Sequence, residues 1–471
     1  LNTSNIQVDP ADLPFAAQCT EPMTYCYPPQ QNMFQFWTNL TIDLYGGYFM
    51  TPNGNFTNGD MGENRGHSGG MYENYYLHIF NNTRRIIAQC DASGERGLSG
   101  VMRIVQAYGT LMTTDAYGPI PYSSILSGEN EVYFEFDSQK DLYKAMLEDL
   151  STAITDISAM GADEIAKLKS FDCWCNGDKD LWVKIANTMK LRMALRLSKR
   201  ETEAGNAGMN LKAIATEAAQ NTLATVNKDI LIDKSLENEM WLMFNWGDCG
   251  FNANLVTIMS GTKDPRQPLY MTLNTGDIKN EAGTTTVAAN SQYLGIRFAS
   301  GLPAKPNSWG NFSGWIQGNN GSSYSMPLPI MKAAEAYFLL AEAKLRWDIG
   351  SESVKNLYEN GIRVSMTNEL AYRGAYAGIK EYPEGAVDAY INGTSTQIDY
   401  TDPIKAELST PAVNKLSVKW DESASNEEKL ERIITQKWLA LFPLSTEAGQ
   451  NNAAPAIHAS SLHSSMKVME P

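Results

Sequence analysis

Apolar residues recur at helical spacing along much of the chain, most densely between residues 327 and 366. After Pro329 this stretch has no Gly or Pro before Gly350, and Ala, Leu and Glu, which favour helices, fill it. Gly350 predicts a helix end, and Ser351 predicts the N-cap of a second helix that reaches Met366. We interpret the pair as one tetratricopeptide-type unit, which needs neighbouring repeats to bury its core.

The same periodicity predicts further helices over 33–44, 72–90, 96–115, 138–157, 178–200, 211–226 and 427–441. Between 227 and 324 Gly, Asn, Thr and aromatic residues replace this pattern and indicate short strands. We therefore predict a mainly α fold, in which a tetratricopeptide-like helical scaffold carries an irregular, loop-rich subdomain with minor β structure. The predicted parts are 1–226, 227–324 and 325–448.

Three segments carry no helical period. Residues 1–31 contain five prolines and predict an irregular lead-in. Residues 48–70, rich in Asn and Gly, predict a long surface loop, a kind of segment that is uncommon unless functional or disordered. Residues 371–411 predict a further irregular stretch.

Composition narrows the function. Among 471 residues, 53 acidic against 38 basic side chains give a net charge of −15. Nucleic-acid binding needs a basic face, and anionic lipid would be repelled, so a neutral ligand such as a carbohydrate fits better. No apolar run approaches the ~20 residues that span a bilayer. The chain begins without a basic and apolar leader, so we expect any export signal to have been removed.

The cysteines give little support for a disulfide, a metal site or a catalytic site. Cys19 and Cys26 could pair in a loop, whereas Cys173 and Cys175 are too close for an easy mutual disulfide and lack zinc spacing. Free thiols are the simpler interpretation. We predict no metal site and no cofactor.

Two short motifs have simpler interpretations than catalysis or metal binding. Residues 66–70 match the nucleophile-elbow pattern, which requires a preceding strand, but they follow a polar loop, so we expect a flexible loop. Residues 176–180 could suggest calcium but fit an N-cap better. The carboxylate pair of a glycoside hydrolase is defined by the distance between the two groups in the fold, which the sequence does not reveal. No two carboxylates stand out along the chain, so we predict no catalytic residue.

Aromatic and amide residues in loops are the best binding signal. Sugars present apolar C–H faces and a rim of hydroxyls, which aromatic rings and amides complement. Trp and Tyr also commonly fix loops onto a core, and that alternative stays open. The candidate ligand-binding residues are Trp309, Asn311, Phe312, Trp315 and Gln317, then Tyr48, Asn53 and Asn55, and finally Trp246.

Several segments, in order, resemble one family. They are the turn at 107–123, the basic helix at 177–196, the markers at 260–266 and 293–297, the Ala- and Glu-rich helix at 331–345, and the C-terminal helix at 433–440. Together they resemble the SusD-like (SusD/RagB) family of Bacteroidetes outer-membrane lipoproteins over roughly 34–448.

The resemblance implies a non-enzymatic, cell-surface lipoprotein that binds glycan and delivers it to a TonB-dependent, SusC-like outer-membrane transporter. Membrane contact would be only through a lipid anchor outside this sequence, since Cys19 lies too deep to be the family's lipidated cysteine. The alternatives are a helical-repeat protein that binds peptide or protein, and a glycoside hydrolase.

The C-terminal tail departs from the family. Where a Trp and an Arg-Arg pair are usual, residues 449–471 run through Asn, Ala, Ser and His. Codons for this tail, reread after one lost T, give an ending with that Trp and Arg-Arg pair. We therefore predict a frameshifted tail without evolved function, and sequencing of the gene tests this.

Overall fold

A computed structural model describes residues 13–29, 31–60, 62, 64–128, 133–232 and 237–449. Its α-helices are α1 (Phe15–Tyr25), α2 (Gln31–Met33), α3 (Asp43–Gly46), α4 (Arg65–Ser68), α5 (Gly70–Asn74), α6 (Asn81–Ser93), α7 (Arg96–Tyr117), α8 (Ser123–Ser127), α9 (Gln139–Ser158), α10 (Ala162–Lys169), α11 (Lys179–Arg196), α12 (Glu201–Asn206), α13 (Leu211–Ala218), α14 (Glu239–Asn245), α15 (Ala253–Thr262), α16 (Gln267–Tyr270), α17 (Ala333–Trp347), α18 (Val354–Ala377), α19 (Ala386–Ile391), α20 (Asn426–Leu441) and α21 (Ser445–Gly449).

Two π-helical segments, Phe34–Ile42 and Tyr75–Phe80, continue the helices on either side of them. The strands are short: β1 (Phe49–Met50), β2 (Ile120–Pro121), β3 (Phe136–Asp137), β4 (Ile230–Ile232), β5 (Gly250–Phe251), β6 (Met271–Asn274), β7 (Ile278–Lys279), β8 (Thr285–Val287), β9 (Ser313–Trp315) and β10 (Leu328–Met331). The fold is therefore mainly α with minor β structure, as predicted.

The chain forms two compact units. Unit 1 comprises 1–28, 71–226 and 230–233, and unit 2 comprises 29–70, 227–229 and 234–471. The predicted division into 1–226, 227–324 and 325–448 stays a prediction. Of the predicted frameshifted tail, residues 450–471 lie outside the described residues.

Unit 1 is a succession of packed helices. Contacts join α6 to α7, α7 to α9, α9 to α11, and α11 to α13. Gly94 ends α6 in the left-handed region (φ 80°), and α7 begins two residues later, so these helices run antiparallel. The side chain of Asp178 accepts from the backbone N–H groups of Asp180 and Leu181, which confirms the predicted N-cap of α11. This succession is the tetratricopeptide-like scaffold.

Unit 2 combines helices with short antiparallel strand pairs. Helix α20 packs against both α17 and α18, around a core that includes Phe338, Tyr358 and Ile433. The strands pair as β1 with β5, β6 with β9, and β7 with β8. Residues 227–324 thus contain the predicted loops and short strands, and also helices α14, α15 and α16.

The predicted helix pair is present, but its first boundary was wrong. Pro329 and Ile330 lie in β10, and α17 begins at Ala333. The backbone N–H of Ala333 donates to Asp229 Oδ1 at 2.8 Å. A carboxylate distant in sequence therefore caps the helix, and local propensity carries no sign of such a contact.

The second boundary and two irregular segments were also wrong. Helix α18 continues to Ala377, because the inward positions Glu369 and Arg373 are charged and hide its buried face from an apolar pattern. The 48–70 segment begins with β1, whose residues are buried, and ends with α4. Residues 15–25 form α1 despite Pro22, since burial of Cys19 and Met23 outweighs the local preference.

Two motif predictions can now be assessed. Cys19 and Cys26 are buried free thiols at α1, so the favoured interpretation of free thiols is confirmed for these two residues and the alternative pair is not formed. Ser68 belongs to α4, where the side chain of Asn64 accepts from the backbone N–H of His67. These residues thus form a capped helical turn. They are neither the predicted flexible loop nor the strand-to-helix turn of a nucleophile elbow.

Candidate functional site

Strand β9 places Trp315 in an aromatic cluster of unit 2. Met271 of β6 lies opposite Trp315, and Asn274 lies opposite Ser313. The Trp315 ring is 1% exposed and stacks on Phe251 at 6.4 Å between centroids, with Phe244 at 5.7 Å. These rings pack at centroid distances that favour offset and edge contacts, which stabilise the cluster beyond the burial of its area.

Arg373 supports this cluster from the side of α18. Its guanidinium lies 5.1 Å from the ring centroids of both Trp315 and Phe442. Arg373 Nε donates to Glu369 at 2.8 Å, and Lys332 Nζ donates to the other Glu369 oxygen at 2.7 Å. The buried charges are thus paired, and the guanidinium faces aromatic π-systems that attract a cation.

A pocket of about 250 Å³ opens over the aromatic cluster. Its lining combines aromatic rings and Pro with neutral hydrogen-bonding groups and glycines. The lining residues are Pro52, Phe244, Asn245, Gly247, Cys249, Gly250, Thr272, Thr275, Trp309, Gly310, Phe312, Ser313, Gly314, Trp315 and Gln317. Asn245, Thr275 and Gln317 are exposed at the rim. An apolar floor with a few polar groups at the edge is typical of a small-molecule site.

Asp248 holds the wall formed by residues 245–250. Its carboxylate accepts from Gln35 Nε2 at 3.1 Å, Asn53 Nδ2 at 3.1 Å and Lys305 Nζ at 2.6 Å. Lys305 Nζ also donates to the Trp246 carbonyl at 2.8 Å. The carboxylate therefore joins three segments that are distant in sequence and fixes the turn beside the pocket.

The described lining residues carry no acid–base pair. None of them is Asp or Glu, whereas glycoside hydrolysis ordinarily uses two carboxyl groups. Burial raises the pKa of the Cys249 thiol well above its ordinary value, so it lines the pocket as a neutral group and not as a thiolate nucleophile. The arrangement is suited to binding.

Four of the nine candidate residues come together in this pocket: Trp309, Phe312, Trp315 and Gln317. The first three are buried, and Trp309 Nε1 donates to Asp402 Oδ2 at 3.1 Å. Their rings thus fix loops onto the core as well as forming the pocket floor. Whether they touch ligand stays a prediction.

The other five candidates do not line the pocket. Tyr48 has no exposed surface, and its hydroxyl donates to the Trp438 carbonyl. Asn53 is buried on Asp248, and the backbone N–H of exposed Asn55 donates to Asn53 Oδ1 at 3.2 Å. Exposed Asn311 donates to the Asp277 carbonyl at 3.1 Å, and Trp246 is 37% exposed on the wall that Asp248 holds.

Sequence reasoning missed part of the site. Phe244 and Asn245 lie in the aromatic-rich run 241–246, from which only Trp246 was singled out as a candidate. Thr272 and Thr275 stand in an ordinary strand and turn, with no local signal. Arg373 fell in a segment that was expected to be irregular.

Neither membrane-spanning helices nor metal clusters stand out in the part of the chain that the structure describes. No helix there is long and apolar enough to cross a bilayer. The same residues include no group of three or more His, Cys, Asp and Glu side chains that could hold a metal ion.

Comparison with known proteins identifies relatives of this arrangement. The family model "SusD-like: Susd and RagB outer membrane lipoprotein" matches residues 6–451. Among solved structures, a chitin-binding SusD homolog from Flavobacterium johnsoniae is similar with a TM-score of 0.78 and 26% identity, covering 93% of this chain and 85% of that one.

Two further structures give the same result. A SusD-like protein from Bacteroides thetaiotaomicron has a TM-score of 0.76 and 26% identity, with 93% and 85% of the two chains covered. A SusD homolog from Bacteroides ovatus has a TM-score of 0.75 and 27% identity, with 93% and 84% covered. Comparison with curated proteins found no match.

Proposed function

Because the chain belongs to the SusD-like family of outer-membrane lipoproteins, we propose that it captures glycan at the cell surface without cleaving it. The captured glycan passes to a TonB-dependent, SusC-like transporter. A lipid anchor holds the protein on the outer membrane. The pocket of unit 2 is the proposed binding site.

The chemistry of the pocket lining is the observation that carries this proposal. Partly exposed Phe244 offers apolar surface for sugar C–H groups in front of the buried Trp315 ring, and the side chains of Asn245, Thr275 and Gln317 offer donors and acceptors for hydroxyls. Its volume of about 250 Å³ lies near the lower end of the range of small-molecule pockets. It therefore suits one or two sugar units better than a long stretch of polysaccharide.

Two further observations support binding without cleavage. The described lining residues lack the paired carboxylates that hydrolysis needs. A relative of closely similar fold is a chitin-binding SusD homolog, so a glycan is the first ligand class to test.

Rim variants test the site. We expect Asn245→Ala and Gln317→Ala each to weaken glycan binding about three- to tenfold, since each removes one or two neutral hydrogen bonds worth about 0.5–1.5 kcal/mol apiece. Titration calorimetry against the best ligand of a glycan panel measures the change. Gln220→Ala in unit 1, which is also exposed, is the matched control.

The same panel separates the alternatives. Binding without product release supports the proposal, and release of shorter sugars indicates a glycoside hydrolase. Failure to bind any glycan of the panel favours a helical-repeat protein that binds peptide or protein. Unchanged affinity in both rim variants, with binding intact, would place the glycan elsewhere.

A further inference from the structure

We propose that this pocket selects uncharged sugar units, and that Asp248 enforces the selection by holding the ammonium group of Lys305 in an ion pair. The inference rests on the proposed function, because it assigns a ligand class to the proposed site. Acidic sugars, which carry carboxylate or sulfate groups, are excluded.

The lining provides no partner for a negative charge. None of the described lining residues is Lys, Arg or His, and the polar side chains among them are amides, hydroxyls and the neutral Cys249 thiol. Burying a carboxylate without a cation or several strong donors is costly. A sugar hydroxyl is satisfied by the same amides at little cost.

Among the described residues, Lys305 and Arg373 are cations that lie close to the site, and both are already paired. Lys305 lies beside the 245–250 wall, where its Nζ donates to Asp248 Oδ1 at 2.6 Å and to the Trp246 carbonyl. Arg373 lies behind the Trp315 ring, is fully buried, and donates to Glu369. The protein therefore places positive charge near the pocket but commits it to internal carboxylates.

Lys305 is the cation that could be released. Its side chain is 40% exposed, while that of Asp248 is 10% exposed. Because the Lys305 side chain is partly exposed, its ammonium group stays accessible to water or to a ligand when the counter-charge is removed. Asn in place of Asp248 could still accept a hydrogen bond from Gln35 or Asn53, but it would leave the ammonium group without a counter-charge.

The test compares neutral and acidic oligosaccharides on the full chain. The neutral set contains chito-, manno- and gluco-oligosaccharides, and the acidic set contains galacturonan and hyaluronan fragments. We expect the wild-type protein to bind at least one neutral oligosaccharide and to bind every acidic oligosaccharide more weakly than that one. Asp248→Asn should raise the ratio of acidic to neutral affinity about fivefold, as an exposed charge pair of about 1 kcal/mol allows.

Two variants control this result. In Asp248→Asn combined with Lys305→Met the gain in acidic affinity should disappear, because the released cation is gone. Asp388→Asn makes the same change in net charge at an exposed pair with Arg363 and should leave the ratio unaltered. Thermal unfolding verifies that each variant is folded.

The outcomes are distinguishable. Wild type that prefers acidic glycans, or a folded Asp248→Asn whose ratio does not change, overturns this inference and leaves glycan capture standing. Binding to neither set overturns the proposed function together with it. If Asp248→Asn fails to fold, the preference of the wild-type protein decides. A preference for neutral oligosaccharides supports the inference, and a preference for acidic ones overturns it.

Discussion

Asp43 shows how a single buried group can influence the whole of unit 2. Its side chain is 1% exposed, and burial raises the pKa of its carboxyl from 3.8 to about 8. The Ser445 hydroxyl and the Asn39 amide oppose only part of this effect. Neither carboxyl oxygen receives a hydrogen bond of ordinary geometry from the described residues. The folded protein therefore holds this carboxyl protonated at neutral pH.

The raised pKa gives a signed prediction for stability. Between pH 3.8 and about 8 the unfolded chain releases the Asp43 proton while the folded chain keeps it. The folded state thus binds more protons, and its free energy of unfolding falls as pH rises through this window. We expect Asp43→Asn to be more stable than wild type at the upper end by several kcal/mol, on the order of 5 kcal/mol for a shift of this size.

Urea unfolding at the two ends of the window measures this difference. At the lower end, where the carboxyl is protonated in the folded state and half protonated in the unfolded state, the variant and wild type should differ little. An equal difference at both ends would contradict protonation of Asp43 as the cause.

Helix elements were predictable where their termini carried local signals. Helix α20 begins with a capping box in which the Ser425 side chain accepts from the Glu428 backbone N–H and the Glu428 side chain accepts from the Ser425 N–H. Gly378, in the left-handed region, ends α18, but this local signal was overlooked because the charged inward positions Glu369 and Arg373 hid the helix before it. Where the signal was a distant partner, as with Asp229 at the start of α17, the boundary was missed.

The α17–α18 contact depends on a glycine. A Cβ at Gly361 would lie 2.8 Å from the Phe338 ring, closer than such contacts allow. Alanine normally stabilises a helix interior relative to glycine by about 1 kcal/mol. Here we expect Gly361→Ala to destabilise the protein by about 1–3 kcal/mol, because the buried ring must shift.

Gly205→Ala is the matched control, since nothing lies within 4 Å of a Cβ built there. It should leave the free energy of unfolding unchanged or raise it by up to about 1 kcal/mol. Chemical unfolding of both variants measures the contrast. A stabilised Gly361→Ala would show that the two helices can separate without cost.

The whole molecule carries a net charge of −15, while the lining of its proposed pocket is uncharged. This charge repels polyanions at a distance and leaves neutral sugars unaffected. Selection against acidic glycans would thus act both within the pocket and over the surface.

Salt dependence follows from this charge distribution. We expect the affinity for a neutral glycan to change less than about twofold between about 0.05 and 0.5 M NaCl, because binding pairs no charges. Calorimetric titration at both salt concentrations measures it. A steep decline with salt would indicate that charged groups contact the ligand.

The sequence by itself determined the helical scaffold and the aromatic, amide-rich character of the loops, because helix periodicity, caps and composition are local properties. It also singled out Trp309, Phe312, Trp315 and Gln317 as candidates, and the fold brings these four together at one pocket. Only tertiary structure decided that Tyr48 and the Trp315 ring are buried, and that Asp248 gathers Gln35, Asn53 and Lys305. Those outcomes depend on contacts between residues far apart in the chain, which no local pattern encodes.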